Sequence, residues 1–208
     1  MLTRRALLSA GGLLAAGLAW ADTAVVEIHM RSDSDGSRVG FDPVGLLIQP
    51  GQTLRWICDA NYHTTAAYHP DNADHSLRIP REAKPWSSDV LQPGEHFDVT
   101  LTVPGVYDYF CAPHEQGGMV GRIIVGVASG PGSLPFDWYK GRPEAKDWVP
   151  VPPTARSVFP AIADIVRRNF IPGVKIAMSG MDHGDQTHPQ EQSSSGRSTS
   201  CPGSSLQG

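Results

Sequence analysis

The run "HFDVTLTV" at 96–103 alternates without a break, setting Phe97, Val99, Leu101 and Val103 on one side and polar groups on the other. A period of two is the signature of a half-buried β-strand and does not gather residues on one helical face. A turn at Pro104-Gly105 then feeds "VYDYFC" at 106–111, and "VGRIIVG" at 120–126 reads as a further strand. The runs "AVVEIHM" at 24–30, "GLLIQ" at 45–49 and "QTLRWIC" at 52–58 are also β-prone, the last two joined at Pro50-Gly51. Short strands punctuated by Pro-Gly turns predict an all-β sandwich or barrel. The 18 prolines and 22 glycines agree with that, and 208 residues support one well-buried domain better than two.

The flanks read differently. Residues 1–21 carry Arg4 and Arg5, then "ALLSAGGLLAAGLAW", then the small-x-small site Ala19-Trp20-Ala21. This pattern predicts an export signal cleaved after Ala21 and a periplasmic mature protein; the apolar run is too short and glycine-broken for a membrane anchor. "TRRALLS" also resembles a twin-arginine signal, though without the usual phenylalanine after the arginines. With Arg4 and Arg5 set aside, 15 basic residues face 21 acidic ones, a balance of −6 that argues against nucleic acid or an anionic membrane as partner. The sandwich is expected over 22–127, and the loop from Asp59 to about Leu91 is long enough to be either functional or poorly ordered. A Pro-rich arm is expected over 128–178. Within it Ser157 is placed to cap a helix at about 158–169, with Val158, Ile162, Ile165 and Val166 as its apolar stripe. The Ser-rich segment 179–208 has almost nothing to bury and is expected to be disordered.

Three cysteines make an odd set for an oxidising compartment, so a disulfide framework is not expected, although a Cys58–Cys201 pair is conceivable. Cys111 needs its own explanation. It opens "CAPHEQGGM", a C-x2-H-x4-M spacing that puts a thiolate, an imidazole and a thioether in one short loop between two strands. Thioether sulfur is a poor ligand for zinc and a good one for copper, so the set points to copper. A mononuclear electron-transfer centre of that kind takes two histidines, one cysteine and a weak axial methionine, which leaves one imidazole to find. His63 and His69 both offer it. His63 follows the "QTLRWICDANY" strand and opens the small-residue run "HTTAA", whereas His69 sits in the polar stretch "HPDNAD", so His63 is preferred. His75 and His96 read as exposed or strand-surface residues.

At these residues the chain resembles a known family. "YDYFCAPHEQGGMVGRIIVG" at 107–126 is similar to the copper loop and last strand of the cupredoxins, in their plastocyanin and pseudoazurin branch. The resemblance covers about 24–127 and implies an eight-stranded Greek-key sandwich with one copper ion near one end. It also implies His63, Cys111 and His114 as equatorial ligands and Met119 as the axial one. Thr64 departs from the asparagine usual after the first histidine; its hydroxyl and N–H are expected to serve the cysteine sulfur in a modified way. Thr64, Phe110, Pro113 and Gly118 are expected around the ligands, as supports or as part of an apolar docking patch at His114 that also takes in Ala112, Gly117 and Met119. The implied role is a single-electron shuttle that docks transiently with redox proteins. An enzyme is not expected, because the sequence has no H-x-H pair for further coppers and is short for a second sandwich. A copper carrier or storage protein is the competing expectation.

Overall fold

A computed structural model describes residues 24–173 and residue 176. Its strands are β1 (Val26–Ser32), β2 (Val39–Asp42), β3 (Gly45–Ile48), β4 (Gln52–Cys58), β5 (Ala66–Ala67), β6 (His96–Leu101), β7 (Gly105–Phe110), β8 (Val120–Val125) and β9 (Phe170–Ile171). One sheet runs β2-β1-β4-β6 and the other β5-β7-β8-β3-β9. β1 lies parallel to β4 and β3 parallel to β8, while the remaining pairs are antiparallel. The result is a Greek-key β-sandwich, with β5 and β9 as short additions at the edges of the second sheet.

Alternation sorts the side chains. From the first sheet Ile28, Met30, Leu54, Trp56 and Cys58 point inward; from the second come Tyr107, Tyr109, Ile123 and Val125. Trp56 meets Tyr109 edge-on at 5.4 Å, and Phe41 meets the same ring at 4.7 Å, the tilted contacts that aromatic quadrupoles favour. Phe97 and Val99 of β6 are half-buried and Leu101 is buried, as their spacing predicts.

Every residue of β7 and β8 is buried, which a one-sided sheet would not allow. The arm after residue 127 supplies the missing cover. Phe110 and Val120, on the outward face, pack with Val151 and Ala155, while Val106 and Ile124 pack with Ile165. Burying each of these valine, isoleucine and phenylalanine side chains is worth about 1.5–3 kcal/mol.

The arm's helix is two pieces, α1 (Pro153–Val158) and α2 (Ile162–Arg168). Pro160 disfavours helical geometry at Phe159, whose ψ is 126°, so the single helix expected at 158–169 cannot run through. Ser157 lies inside α1, its hydroxyl donating to the Thr154 carbonyl at 2.7 Å, and Ala161 occupies the N-cap of α2. The break scatters the expected stripe: Ile165 is buried and Ile162 half-buried, but Val158 and Val166 are exposed.

The long loop is ordered by burial, with Tyr68, Leu77, Ile79 and Trp86 inside. Cys58 is a buried free thiol. The export signal, the 179–208 segment and Cys201 lie outside the described residues.

Candidate metal centre

Two loops at one end of the sandwich bring the site together. After β4 the chain turns through Asn61, left-handed at φ 58°, and His63 pairs with Leu91 by reciprocal backbone hydrogen bonds of 3.2 and 2.8 Å. The second loop leaves β7 at Cys111 and coils as a 3₁₀ turn over Ala112–Gly117. Pro113 sets the φ of its first turn, and Gly118, at φ 85°, takes the left-handed exit that glycine permits. The loop then closes on itself: the Met119 N–H donates to the His114 carbonyl at 3.1 Å, and the Cys111 N–H to the Met119 carbonyl at 3.0 Å.

His63, Cys111 and His114 converge, their ligand atoms all within 4.8 Å of one another. His63 Nδ1 is 3.2 Å from His114 Nδ1, and the Cys111 sulfur is 3.7 Å from the first and 3.4 Å from the second. The centre of that triangle lies about 2 Å from each corner, close to the nitrogen and sulfur bond lengths of a transition-metal ion. Two neutral imidazole nitrogens and a thiolate form a soft to borderline donor set, which suits copper. The donors therefore fit the ion. Met119 is fully buried in the same core cluster as Cys111. His69 lies apart from this group; its Nδ1 accepts from the Asp71 N–H at 3.1 Å.

The surroundings prepare these groups. His63 Nε2 lies 2.8 Å from the Ser32 hydroxyl, which holds the ring and can accept an Nε2–H when the Nδ1 lone pair faces the cluster. The Thr64 N–H reaches the Cys111 sulfur at 3.3 Å and its hydroxyl lies at 3.9 Å, while the same oxygen accepts the Ala112 N–H at 2.8 Å. Burial, aided by the nearby His114, pulls the His63 pKa down to about 4, and burial also lowers that of His114. Burial raises the Cys111 pKa against the pull of the Thr64 hydrogen bonds, so metal binding here must expel a proton.

The surface around His114 differs from the expected patch. Ala112, Pro113 and Gly117 are exposed and His114 is half-buried, but Met119 and Phe110 are buried and Gly118 is covered by Thr154 and Val158 of α1. Tyr62 and Val90, 59% and 60% exposed, lie on the loops that frame His63.

His75 is not a surface residue. It is buried, stacked on Phe110 at 4.4 Å, with Nδ1 donating to the Asn72 carbonyl at 2.6 Å and Nε2 lying 3.2 Å from Glu115. Burial alone would lower its pKa, but the Glu115 and Asn72 hydrogen bonds outweigh that and raise it. Glu115 also accepts the Tyr68 hydroxyl at 2.7 Å. Ser32, Tyr68, His75 and Glu115 are absent from the sequence-based site; a carboxylate amid "CAPHEQGGM" is the one available hint.

Residues 28–126 match the model of the copper binding proteins of the plastocyanin/azurin family. The chain is 30% identical over 118 residues to the chloroplastic plastocyanin of Chlamydomonas reinhardtii, covering 56% of this chain and 79% of that protein. It is 29% identical over 118 residues to the barley (Hordeum vulgare) protein, covering 57% and 71%. Among solved structures, the pseudoazurin of Methylobacterium extorquens aligns at 21% identity and a TM-score of 0.45, over 65% of this chain and 94% of that one. The family match spans the strands and both loops that carry the convergent donors, and with the algal relative it establishes that the chain belongs to the plastocyanin/azurin family of copper-binding proteins.

Proposed function

We propose that this protein is an exported mononuclear type 1 copper protein that passes single electrons between redox partners, and that His63, Cys111, His114 and Met119 would hold the ion. The observation that carries the reading is the triangle of two Nδ1 atoms and one sulfur, already assembled at bonding range of a common centre. A copper ion bound there supplies reversible one-electron chemistry. The chain's part is to keep the donors still: Ser32 holds the His63 ring, Thr64 ties the Cys111 sulfur to the neighbouring loop, and the closed backbone of 111–119 limits loop motion. Little rearrangement means a low barrier to each transfer. Burial of Cys111, Met119 and His63 excludes water, which leaves the half-buried His114 as the point of electrical contact. Exposed Ala112, Pro113 and Gly117 around it suit small, transient interfaces with redox proteins.

The assignment is tested by spectroscopy of the copper-loaded chain. An intense visible thiolate-to-copper band is expected; Cys111→Ala and His63→Ala abolish it, and His69→Ala leaves it. Retention of the band in the first two, or its loss in the third, overturns the ligand set. Cycling at an electrode separates a shuttle from a carrier: repeated one-electron cycles without metal loss support the shuttle, and release on each reduction supports the carrier.

A further inference from the structure

His63 and His114 are held in different ways. His63 has Ser32 on its outer nitrogen, whereas among the described residues the His114 ring makes hydrogen bonds only through Nδ1, toward His63 and Cys111. Among the described residues no side chain or backbone group hydrogen-bonds His114 Nε2. Its position must then follow from the backbone of the 3₁₀ turn, and the next residue is the turn's anchor. Glu115 points inward, away from the solvent that His114 faces, and is 8% exposed.

We infer that Glu115 is a positioning residue for His114: its buried carboxylate, clasped by Tyr68 and His75 of the long loop, pins the ligand turn and thereby fixes the imidazole through which electrons pass. The inference rests on the copper-ligand reading above and adds a residue to it. The chemistry of the clasp is complete. One carboxylate oxygen accepts the Tyr68 hydroxyl at 2.7 Å, and the other lies 3.2 Å from His75 Nε2. His75 Nδ1 faces the Asn72 carbonyl at 2.6 Å and must carry a hydrogen, so a single proton lies between Nε2 and the carboxylate. Tyr68 and His75 are themselves packed in place: both lie against Phe110, and the His75 backbone bridges to Val149 of the arm. The Glu115 carbonyl in turn accepts the Gly118 N–H at 2.9 Å, so anchoring this one residue steadies the whole turn up to Met119.

The test compares Glu115→Ala, Glu115→Gln and Tyr68→Phe in the full chain. The glutamine can accept from Tyr68 and donate to a neutral His75, so it should restore what alanine loses. In metal-free protein, amide exchange at Gly118 and Met119 should quicken about tenfold in the alanine variant, the size of one lost hydrogen bond. It should quicken less in Tyr68→Phe and return near wild type in the glutamine variant, with Leu54 and Trp56 in β4 unchanged in all three. In copper-loaded protein the alanine variant should show altered paramagnetic hyperfine splitting and about tenfold slower electron self-exchange, again rescued by glutamine. Wild-type exchange and spectra in the alanine variant, or a loss spread equally over β4, would make Glu115 merely structural and overturn the inference. If the alanine variant does not fold, an unchanged turn in Tyr68→Phe overturns it by itself. A wild-type protein without the visible band removes the ligand reading and this role with it, an outcome distinct from the others.

Discussion

Thr64 stands directly after His63, and its side chain does two things. Its oxygen accepts the Ala112 N–H at 2.8 Å, tying one ligand loop to the other, and its hydrogen lies toward the Cys111 sulfur. Thr64→Val keeps shape and the backbone N–H but loses both bonds, so it should cost about 1–2 kcal/mol in denaturant unfolding. With one donor fewer on the sulfur the thiolate becomes the stronger electron donor, and voltammetry should find a lower reduction potential. His63 gives a pH dependence. Its folded pKa of about 4 lies below the usual 6.5, so the unfolded chain binds the proton more readily. The His63 contribution to metal-free stability should therefore be steady above pH 6.5 and fall as pH drops toward 4, by up to about 1.4 kcal/mol per unit, read as the difference between wild type and His63→Gln in urea titrations across that range. What could be read at this scale was local: C-x2-H-x4-M lies in nine consecutive positions. Ser32 and Glu115 could not be read, because their partners are 31 and 47 residues away in sequence and meet them only in the folded chain. His75 was misplaced on the surface for the same reason, with Glu115 lying 40 residues on.

Among the elements, the strands were legible because alternation and Pro-Gly turns are written into short stretches, as in 96–103. The all-buried character of β7 and β8 was not, since it depends on an arm that returns from beyond residue 130. Nor was the split helix. The expected apolar stripe at 158–169 counted periodicity through Pro160, where sterics at Phe159 prevail. The division has a consequence for the ligand loop, because it leaves α1 to end directly over Gly118. A Cβ at Gly118 would stand 2.9 Å from Val158 Cγ2, and the φ of 85° disfavours any side chain. Gly118→Ala should lower stability by about 1–3 kcal/mol and alter the copper spectrum through the adjacent Met119. Gly117→Ala, whose Cβ meets nothing nearer than 3.8 Å, should stay within about 0.5 kcal/mol of wild type when both variants are compared by thermal melts.

At the scale of the molecule, the question is whether the arm is an appendage or part of the sandwich. Asp108 projects from β7 toward the arm and is fully buried between Arg78 and Arg122, at 3.0 and 2.7 Å. Both guanidiniums continue outward. Arg78 donates to the carbonyls of Pro131, Gly132, Leu134 and Pro135, and Arg122 to that of Pro160. Phe136 lies under Arg78 at 4.4 Å and Phe159 under Arg122 at 5.0 Å. One buried carboxylate thus organises two cations, and these hold the arm by its backbone carbonyls across both of its halves. Such a cluster is not itself a large source of stability, because desolvating the charges offsets their attraction, but removing one member leaves the others buried and uncompensated. Asp108→Asn should therefore cost about 3–5 kcal/mol, far more than the loss of a surface pair. Because the arm also covers Phe110 and Gly118 beside the ligands, that cost should appear as one cooperative transition in calorimetry, with arm and sandwich amides losing protection together. Two transitions, with the arm melting first and the copper spectrum intact, would instead make the sandwich self-sufficient and the arm its passenger.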